Sequence, residues 1–217
     1  MNLEQARSNM VEQQIRTWEV LDQEVLDLLY VVPREEFAPE KHRALAFSDL
    51  EIPIGGGECM WQPKLEARVL QELGVRRTDR VLEVGTGSGY LSALLAHRAA
   101  QVCSVEIKPE LAALGRGNLE RHGTGNVTLE LGDAAHGWPR HAPYDVIVLT
   151  GSTPVLPRAL LEQLAPGGRL FAVVGEAPIM AARLVECGPA HAFHETILFE
   201  TVLAPLANCE QLPRFRF

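Results

Sequence analysis

One segment, residues 81–90, constrains the fold of this chain more than any other. It reads Val81-Leu82-Glu83-Val84-Gly85-Thr86-Gly87-Ser88-Gly89-Tyr90, an apolar stretch typical of a buried parallel strand that runs directly into three closely spaced glycines. Glycine tolerates positive φ and lets ligand atoms approach the backbone, and a helix beginning near Ser88 directs unpaired N–H groups toward the same place. The segment therefore predicts a strand, a ligand-binding turn and a helix.

The spacing of the glycines indicates which ligand fits the turn. The pattern is G-x-G-x-G followed by the bulky Tyr90, whereas the dinucleotide fingerprint has a small residue one position later, for close packing of the helix. This difference favours S-adenosylmethionine (SAM) over NAD. For the glycines alone, a tight turn without a ligand remains an alternative.

Acidic residues follow the glycines at the ends of two further predicted strands. The strand 101–106 ends in Glu106, about twenty residues beyond the glycines, where a carboxylate accepts hydrogen bonds from ribose hydroxyls and repels the 2′-phosphate of NADP. The strand 126–131 leads to Asp133, which we expect to accept a hydrogen bond from the adenine amino group. Together with Glu83, these acids surround one crevice, as expected for a ligand in an open α/β sheet.

The predicted cofactor site combines these acids with their neighbours in the sequence. Its residues are Cys59, Met60, Trp61, Glu83, Gly85, Thr86, Gly87, Ser88, Gly89, Tyr90, Glu106, Ile107, Lys108, Gly132, Asp133, Ala134 and Thr150. Thr150 is included because it ends a predicted strand at the crevice, where its hydroxyl can face the cofactor or the substrate. The first three residues belong to a glycine-rich loop, residues 52–61, which we expect to reach over the ligand.

Hydrophobic periodicity predicts the organisation of the rest of the chain. Apolar residues at helical spacing predict two short helices over residues 3–30, broken near residues 18–22. Further helices are predicted at 64–73, 91–98 and 157–164, and further strands at 144–150, 169–174, 183–185 and 196–203. The alternation of strands and helices predicts an α/β fold with a doubly wound, mostly parallel sheet.

Length and composition fit one domain. With 217 residues and 47% hydrophobic content, the chain can bury a full core. We expect a single domain over residues 1–217, in which 1–75 form N-terminal helices and a substrate or cofactor loop and 76–217 form a Rossmann-like core. The second segment would carry the SAM site.

Charge and composition exclude several partners. The net charge of -8 and the lack of a Lys/Arg cluster disfavour a nucleic-acid partner. No stretch has the apolar length of a membrane span, so we expect no membrane partner and a cytoplasmic protein. The four cysteines are scattered, which predicts reduced thiols, and the seven histidines lack metal-ligand spacing, so no metal is predicted.

An ordered set of segments extends over nearly the whole chain: Met10-Val11-Glu12-Gln13, Val32-Pro33-Arg34-Glu35-Glu36-Phe37, Ile52-Pro53-Ile54-Gly55-Gly56-Gly57, Gln62-Pro63, Leu82 to Tyr90, Gly132-Asp133 and Gly167-Gly168. In these segments the chain resembles the protein-L-isoaspartate (D-aspartate) O-methyltransferase family. The resemblance implies a class I methyltransferase with a seven-stranded sheet and an N-terminal helical cap, with SAM as the methyl donor. It also implies a protein or peptide substrate carrying isoaspartate, which is methylated on a carboxylate during repair of damaged aspartyl residues.

The resemblance departs from the family in the loop after the glycines. The family reads G-Q-T-I-S-Q-P there, and this chain reads Gly57-Glu58-Cys59-Met60-Trp61-Gln62-Pro63. Trp61 therefore occupies the position of the serine usually named as the active site, and Cys59 that of the threonine, which makes these two the predicted catalytic positions. Two alternatives stay open: another acceptor, either a protein or a small aromatic or amine-bearing molecule, and a non-catalytic SAM-binding protein. The oligomeric state is not predicted.

Overall fold

The structure is a computed structural model that describes residues 2–211. Residue 1 and residues 212–217, which the predicted domain includes, lie outside the described part. In chain order, its α-helices are α1 (Leu3–Asn9), α2 (Gln23–Val31), α3 (Pro63–Leu73), α4 (Tyr90–Arg98), α5 (Pro109–Arg121) and α6 (Arg158–Leu161). Its strands are β1 (Ile52–Gly55), β2 (Glu58–Met60), β3 (Arg80–Val84), β4 (Gln101–Glu106), β5 (Val127–Leu131), β6 (Tyr144–Thr153), β7 (Leu164–Glu176), β8 (Ile179–Cys187) and β9 (Phe193–Glu200).

The central sheet has seven strands in the order β5–β4–β3–β6–β7–β8–β9. The pairs from β5 to β7 are parallel, and β8 is antiparallel to both of its neighbours. The predicted doubly wound, mostly parallel sheet is therefore confirmed. The chain moves outward from β3 through β4 to β5 and then returns to β6 on the other side of β3, so the order reverses beside β3, where ligands bind in open α/β sheets.

The N-terminal region forms the two predicted helical segments. Helix α1 continues through a π-helical turn, Met10–Ile15, and a 3₁₀ turn, Arg16–Trp18, and the break falls before α2. Asp22 caps α2, because its carboxylate accepts a hydrogen bond from the backbone N–H of Glu24 at 2.9 Å. Further along, Pro63 begins α3 as the sequence predicted.

The glycine-rich loop predicted at residues 52–61 is a β-hairpin. Strands β1 and β2 pair antiparallel, with Ile52 opposite Met60, and the glycines between them adopt positive φ. A chain reversal of this kind needs residues that tolerate the left-handed region, and Gly56 and Gly57 supply them. The three-residue strand β2 is too short to show a periodic pattern in the sequence.

Other element boundaries also differ from the prediction. Helix α5 was not predicted, because Gly115 and Gly117 weaken its helical pattern. Helix α6 has four residues instead of spanning 157–164, since the chain is already extended at Leu164, which pairs with Tyr144. Strand β9 ends at Glu200 rather than at residue 203.

The N-terminal helices and one face of the sheet share a hydrophobic core. Met10, Leu29 and Phe37 belong to the same buried cluster as Val81 and Val102 of the sheet. A second cluster covers the other face of the sheet. Over residues 2–211, the structure contains no helix long and apolar enough to cross a membrane.

Candidate active site

A cavity of about 310 Å³ opens at the carboxyl ends of the central parallel strands. It brings together most of the residues predicted from the sequence. The predicted residues that line it are Cys59, Met60, Trp61, Glu83, Gly85, Thr86, Gly87, Ser88, Glu106, Ile107, Lys108, Gly132, Asp133, Ala134 and Thr150. Gly89 and Tyr90 are not among the lining residues.

The glycine turn after β3 has a shape that only glycine supports. Gly85 has φ +98°, and a Cβ atom built on it would lie 2.1 Å from the hydroxyl oxygen of Thr150. Gly89 has φ +82°, and its Cβ would lie 3.1 Å from the backbone oxygen of Gly115 in α5. Helix α5 therefore packs directly against the turn, and this contact explains why α5 contains a glycine there.

Tyr90 begins α4 and points into the N-terminal core rather than into the cavity. Its side chain is 1% exposed, and its ring centroid lies 5.4 Å from that of Phe37. Its hydroxyl has no hydrogen-bond partner among the described residues. Tyr90 thus links the glycine turn to the N-terminal region by packing.

Glu106 is held at the end of β4 by two backbone N–H groups. Its carboxylate accepts hydrogen bonds from the N–H of Gly87 at 2.9 Å and from the N–H of Lys108 at 3.0 Å. The residue is 4% exposed and lines the cavity. The carboxylate is therefore fixed before any ligand binds, with lone pairs left to accept further hydrogen bonds.

Glu83 presents a buried carboxyl group that is only half satisfied. Its Oε2 accepts hydrogen bonds from the hydroxyls of Ser92 and Ser104, while Oε1 has no partner among the described residues. Burial raises the pKa of Glu83 to about 8, although the two serine hydrogen bonds oppose the rise. A cationic group of a ligand beside Glu83 would satisfy Oε1 and stabilise the ionised form.

Asp133 follows β5 and lines the same cavity. Its Oδ1 accepts a hydrogen bond from the N–H of Ala135 at 3.0 Å, and its Oδ2 accepts one from the side chain of Asn208 at 2.8 Å. Sequence reasoning missed Asn208, because 75 residues separate it from Asp133. The Asn208 amide thus fixes the rotamer of Asp133.

Trp61 directly follows the β1–β2 hairpin and lines the cavity. The side chain is 8% exposed, and its ring packs edge-on against Phe171 with 6.5 Å between centroids. The indole Nε1 donates a hydrogen bond to the backbone oxygen of Thr150 at 3.0 Å. The indole is therefore fixed by two contacts, the ring packing against Phe171 and the hydrogen bond to Thr150.

A buried ion pair anchors the backbone of the same residue. Arg34 donates hydrogen bonds to the Glu66 carboxylate and to the backbone oxygen of Trp61. Arg34 and Glu66 are 1% and 3% exposed. Burial raises the pKa of Glu66, and the Arg34 guanidinium offsets part of that rise. Arg34 lies in one of the segments that carry the family resemblance. Its partners Trp61 and Glu66 follow it by 27 and 32 positions, and no pattern in the sequence links them.

The mouth of the cavity carries the predicted Cys59 and Lys108. Lys108 donates hydrogen bonds to Glu58 and to the backbone oxygen of Gly56, and so ties the hairpin tip to the segment after β4. Cys59 is exposed, but partial desolvation of its thiol raises the pKa of Cys59, and the nearby carboxylates of Glu51 and Glu58 raise it further. The Cys59 thiol is therefore protonated at neutral pH and is a poor nucleophile.

Residues 203–207 form a wall of the cavity that the sequence did not predict. The backbone of Ser152 bonds to this segment twice, at 2.8 Å to the oxygen of Ala204 and at 2.9 Å from the N–H of Leu206. The Ser152 hydroxyl donates to the backbone oxygen of Leu203 at 2.9 Å. Through these three hydrogen bonds, Ser152 attaches the segment 203–207 to β6.

The position of the cavity and the order of the strands together define the class of protein. A crevice at the reversal point of a sheet in which β8 runs against the other strands is the architecture of class I SAM-dependent methyltransferases. The family model described as Protein-L-isoaspartate(D-aspartate) O-methyltransferase matches residues 5–208. The chain belongs to this family, and it is a SAM-dependent methyltransferase of the protein-L-isoaspartate O-methyltransferase type.

Individual relatives agree with this assignment. A protein-L-isoaspartate O-methyltransferase of Methanoculleus marisnigri is 45% identical over 169 residues, which are 78% of this chain and 77% of the relative. Protein-L-isoaspartate O-methyltransferase 1 of Syntrophobacter fumaroxidans is 39% identical over 197 residues, or 91% of this chain and 92% of the relative. A solved structure of a beta-aspartate methyltransferase from Plasmodium falciparum, in complex with S-adenosyl-L-homocysteine, superposes on this chain with a TM-score of 0.80 at 19% identity. The alignment covers 95% of this chain and 98% of the Plasmodium chain. At that identity the solved structure supports the fold.

Proposed function

We propose that the 310 Å³ cavity binds SAM and that the methyl group passes to the free carboxylate of an isoaspartyl residue in a protein or peptide. The observation that carries the proposal is the fixed carboxylate of Glu106, which two backbone N–H groups hold at the edge of the cavity. We assign Glu106 to the ribose hydroxyls and Asp133 to the adenine amino group. Both assignments use hydrogen-bond acceptors that the fold has already oriented.

The remaining lining residues fit the same ligand. Gly85, Thr86, Gly87 and Ser88 of the glycine turn line the cavity, so their backbone is accessible to a bound ligand. The unpartnered Oε1 of Glu83 suits the ammonium group of the donor's amino-acid part. The following residues complete the proposed site: Cys59, Met60, Trp61, Ile107, Lys108, Gly132, Ala134 and Thr150. We assign Gly89 and Tyr90 to packing behind the turn.

For methyl transfer to a carboxylate, the protein mainly has to position the two reactants and exclude water. Bound SAM supplies an electrophilic methyl group on a sulfonium. A carboxylate acceptor is already ionised at neutral pH, so no general base is needed. The rate then depends on in-line placement and desolvation, to which the hairpin and the buried indole of Trp61 contribute by lining the cavity.

Trp61 and Cys59 would act as walls of the acceptor site. The indole N–H is used by Thr150, so Trp61 has no free polar group for an acceptor carboxylate. The Cys59 thiol is protonated and exposed at the mouth. We therefore propose that both residues shape the acceptor pocket by contact. Family membership favours the isoaspartyl acceptor over another acceptor or a non-catalytic role.

The cellular setting follows from charge and cysteine usage. All four cysteines are free thiols, which suits the reducing cytoplasm. The net charge of -8 disfavours binding to nucleic acid or to an anionic membrane surface. We therefore place the reaction in the cytoplasm, with a damaged protein or peptide as the partner.

The direct test uses SAM labelled in its methyl group and two peptides that differ only in carrying isoaspartate or aspartate. We expect base-labile methyl ester on the isoaspartyl peptide and little on the aspartyl peptide. Glu106→Ala should lose activity, whereas the control Glu110→Ala, an exposed glutamate on α5, should retain it. A wild-type protein that binds SAM but esterifies neither peptide would disprove the acceptor. Failure to bind SAM at millimolar concentration would disprove the cofactor assignment.

A further inference from the structure

A cysteine, a glutamate and a histidine converge outside the methyl-transfer cavity. Cys103 lies on β4, Glu130 on β5, and His141 at the end of the 3₁₀ turn Pro139–His141. One potential metal-ligand atom from each residue lies within 4.8 Å of the other two. Within residues 2–211, no other group of three or more His, Cys, Asp or Glu side chains comes together in this way.

The topology of the sheet explains why residues so far apart in sequence meet. In the parallel β4–β5 pair, Cys103 is opposite Thr128 and Val105 is opposite Glu130, so Cys103 and Glu130 project on the same face. The chain after β5 then crosses this face and brings the imidazole Nε2 of His141 to 2.9 Å from Glu130 Oε1. None of these residues lines the methyl-transfer cavity.

We propose that Cys103, Glu130 and His141 form a zinc-binding site. Thiolate, imidazole and carboxylate are the three ligand types that Zn²⁺ binds, and a three-residue set leaves the fourth tetrahedral position for water. Zinc binding would release the proton of the Cys103 thiol to solvent, and the resulting thiolate together with the Glu130 carboxylate would balance the charge of the divalent cation. The site is independent of the methyl transfer proposed above.

The spacing of the ligands is close to what zinc requires. Zn–S bonds of about 2.3 Å and Zn–N or Zn–O bonds of about 2.0–2.1 Å place tetrahedral ligands roughly 3.3–3.8 Å apart. The ligand atoms here, at 4.8 Å or less, reach that spacing by side-chain movements of about 1 Å. A small cavity of about 10 Å³ borders Cys103 and His141 and offers room for about one water-sized ligand.

Neighbouring side chains support this arrangement. The indole Nε1 of Trp138 donates a hydrogen bond to Glu130 Oε2 at 2.7 Å, which orients the carboxylate and leaves Oε1 for the metal. Arg140 lies 3.4 Å from the same Oε1, but its side chain is 69% exposed and can turn into solvent. Bound zinc would link β4 and β5 to the connection between β5 and β6, which contains both His141 and Asp133.

The test is a zinc titration of the metal-free, full-length protein, followed by calorimetry and thermal unfolding. We expect one Zn²⁺ per chain and a higher Tm, with no comparable effect of Mg²⁺. Cobalt(II) should give the near-ultraviolet charge-transfer absorption of a thiolate ligand. His141→Gln and Cys103→Ser should each weaken zinc binding at least tenfold, and His141 is half-exposed, so its variant should keep the fold.

Cys187→Ser provides the matched control, because Cys187 Sγ also lies near a histidine, 3.5 Å from His191 Nδ1. This variant should bind zinc like the wild type. Absence of stoichiometric binding at micromolar Zn²⁺, unchanged binding in a folded His141→Gln variant, or loss of binding in Cys187→Ser would each overturn the proposal. If Cys103→Ser does not fold, His141→Gln decides the question alone.

Discussion

The indole N–H of Trp61 donates a hydrogen bond to the backbone oxygen of Thr150, with 3.0 Å between the two atoms. The hydroxyl of Thr150 in turn donates to the backbone oxygens of Val84 and Gly85, at 2.8 and 2.9 Å. One residue of β6 thus connects the hairpin that covers the cavity to the glycine turn at its base. Movement of the turn on ligand binding should therefore reach Trp61.

The first prediction concerns the fluorescence of Trp61. We expect SAM to change the tryptophan emission on titration, because the indole lines the cavity and is bonded to the strand beside the glycine turn. Trp61→Phe should lose most of this change, whereas Trp138→Phe, outside the cavity, should retain it. The same change in emission with and without Trp61 would show that the indole does not report on the cofactor.

The second prediction separates a steric clash from backbone strain in the glycine turn. Gly85→Ala should destabilise the protein by more than the roughly 1–2 kcal/mol expected for a non-glycine residue at positive φ, because its Cβ would also meet the Thr150 hydroxyl. Gly57→Ala is the control, since Gly57 has φ +81° with nothing within 4 Å of its added Cβ. Adding Thr150→Ala to the Gly85→Ala variant should recover part of the lost unfolding free energy. Equal unfolding free energies for the two glycine variants would refute the clash.

The third prediction concerns the affinity for SAM. Glu106→Gln should weaken binding by about 1.5–3 kcal/mol, which is roughly 10- to 160-fold in Kd, because it replaces charge-assisted hydrogen bonds to the ribose. Glu110→Gln, an exposed neighbour on α5, should leave the affinity unchanged. Isothermal titration calorimetry measures both. An unchanged Kd in Glu106→Gln would remove Glu106 from the proposed site.

The fourth prediction is a pH dependence caused by Glu83. Its pKa is raised from 4.5 to about 8 in the folded protein, so the folded state holds this proton more tightly than the unfolded state. The stabilising contribution is fully present below pH 4.5 and is lost as pH rises through about 8, with a slope of at most about 1.4 kcal/mol per pH unit. Glu66, whose pKa is also raised, acts in the same direction.

Glu83→Gln should therefore flatten, but not abolish, the fall in unfolding free energy of the ligand-free protein over this range. Chemical denaturation at a series of pH values measures the slope. The exposed Glu4→Gln variant should behave like the wild type. A slope in Glu83→Gln equal to that of the wild type would mean that Glu83 is ionised across the whole range.

The fifth prediction concerns the N-terminal region. We expect residues 1–75 not to fold alone, because their apolar side chains are buried against the sheet in one shared cluster. The Arg98–Glu24 pair adds a polar contact between α4 and α2. Limited proteolysis should yield no stable fragment from this region. A protease-resistant, cooperatively unfolding fragment of residues 1–75 would contradict a single domain.

Most residues that line the cavity could be predicted from the sequence because their signals are local. The glycines and the strand before them are contiguous, and Glu106 ends the next strand at a characteristic distance. Asp133 is recognisable for the same reason. Each of these residues depends on its own strand, so hydrophobic runs were enough to place it.

Contacts between distant segments could not be predicted in this way. Arg34 with Glu66, Asp133 with Asn208, and Ser152 with the segment 203–207 depend on packing between elements that carry no shared pattern. The hairpin was predicted as a loop because its strands are too short for periodicity. The cluster of Cys103, Glu130 and His141 was missed because its spacing in sequence is unlike that of metal motifs.

Arg34 donates its hydrogen bond to the backbone carbonyl oxygen of Trp61 and not to the indole. Every amino acid has that oxygen, so the path of the chain here does not depend on which side chain follows β2. A substitution at position 61 would therefore change the packing against Phe171 and remove the hydrogen bond to Thr150, while the main-chain anchor to Arg34 stays in place.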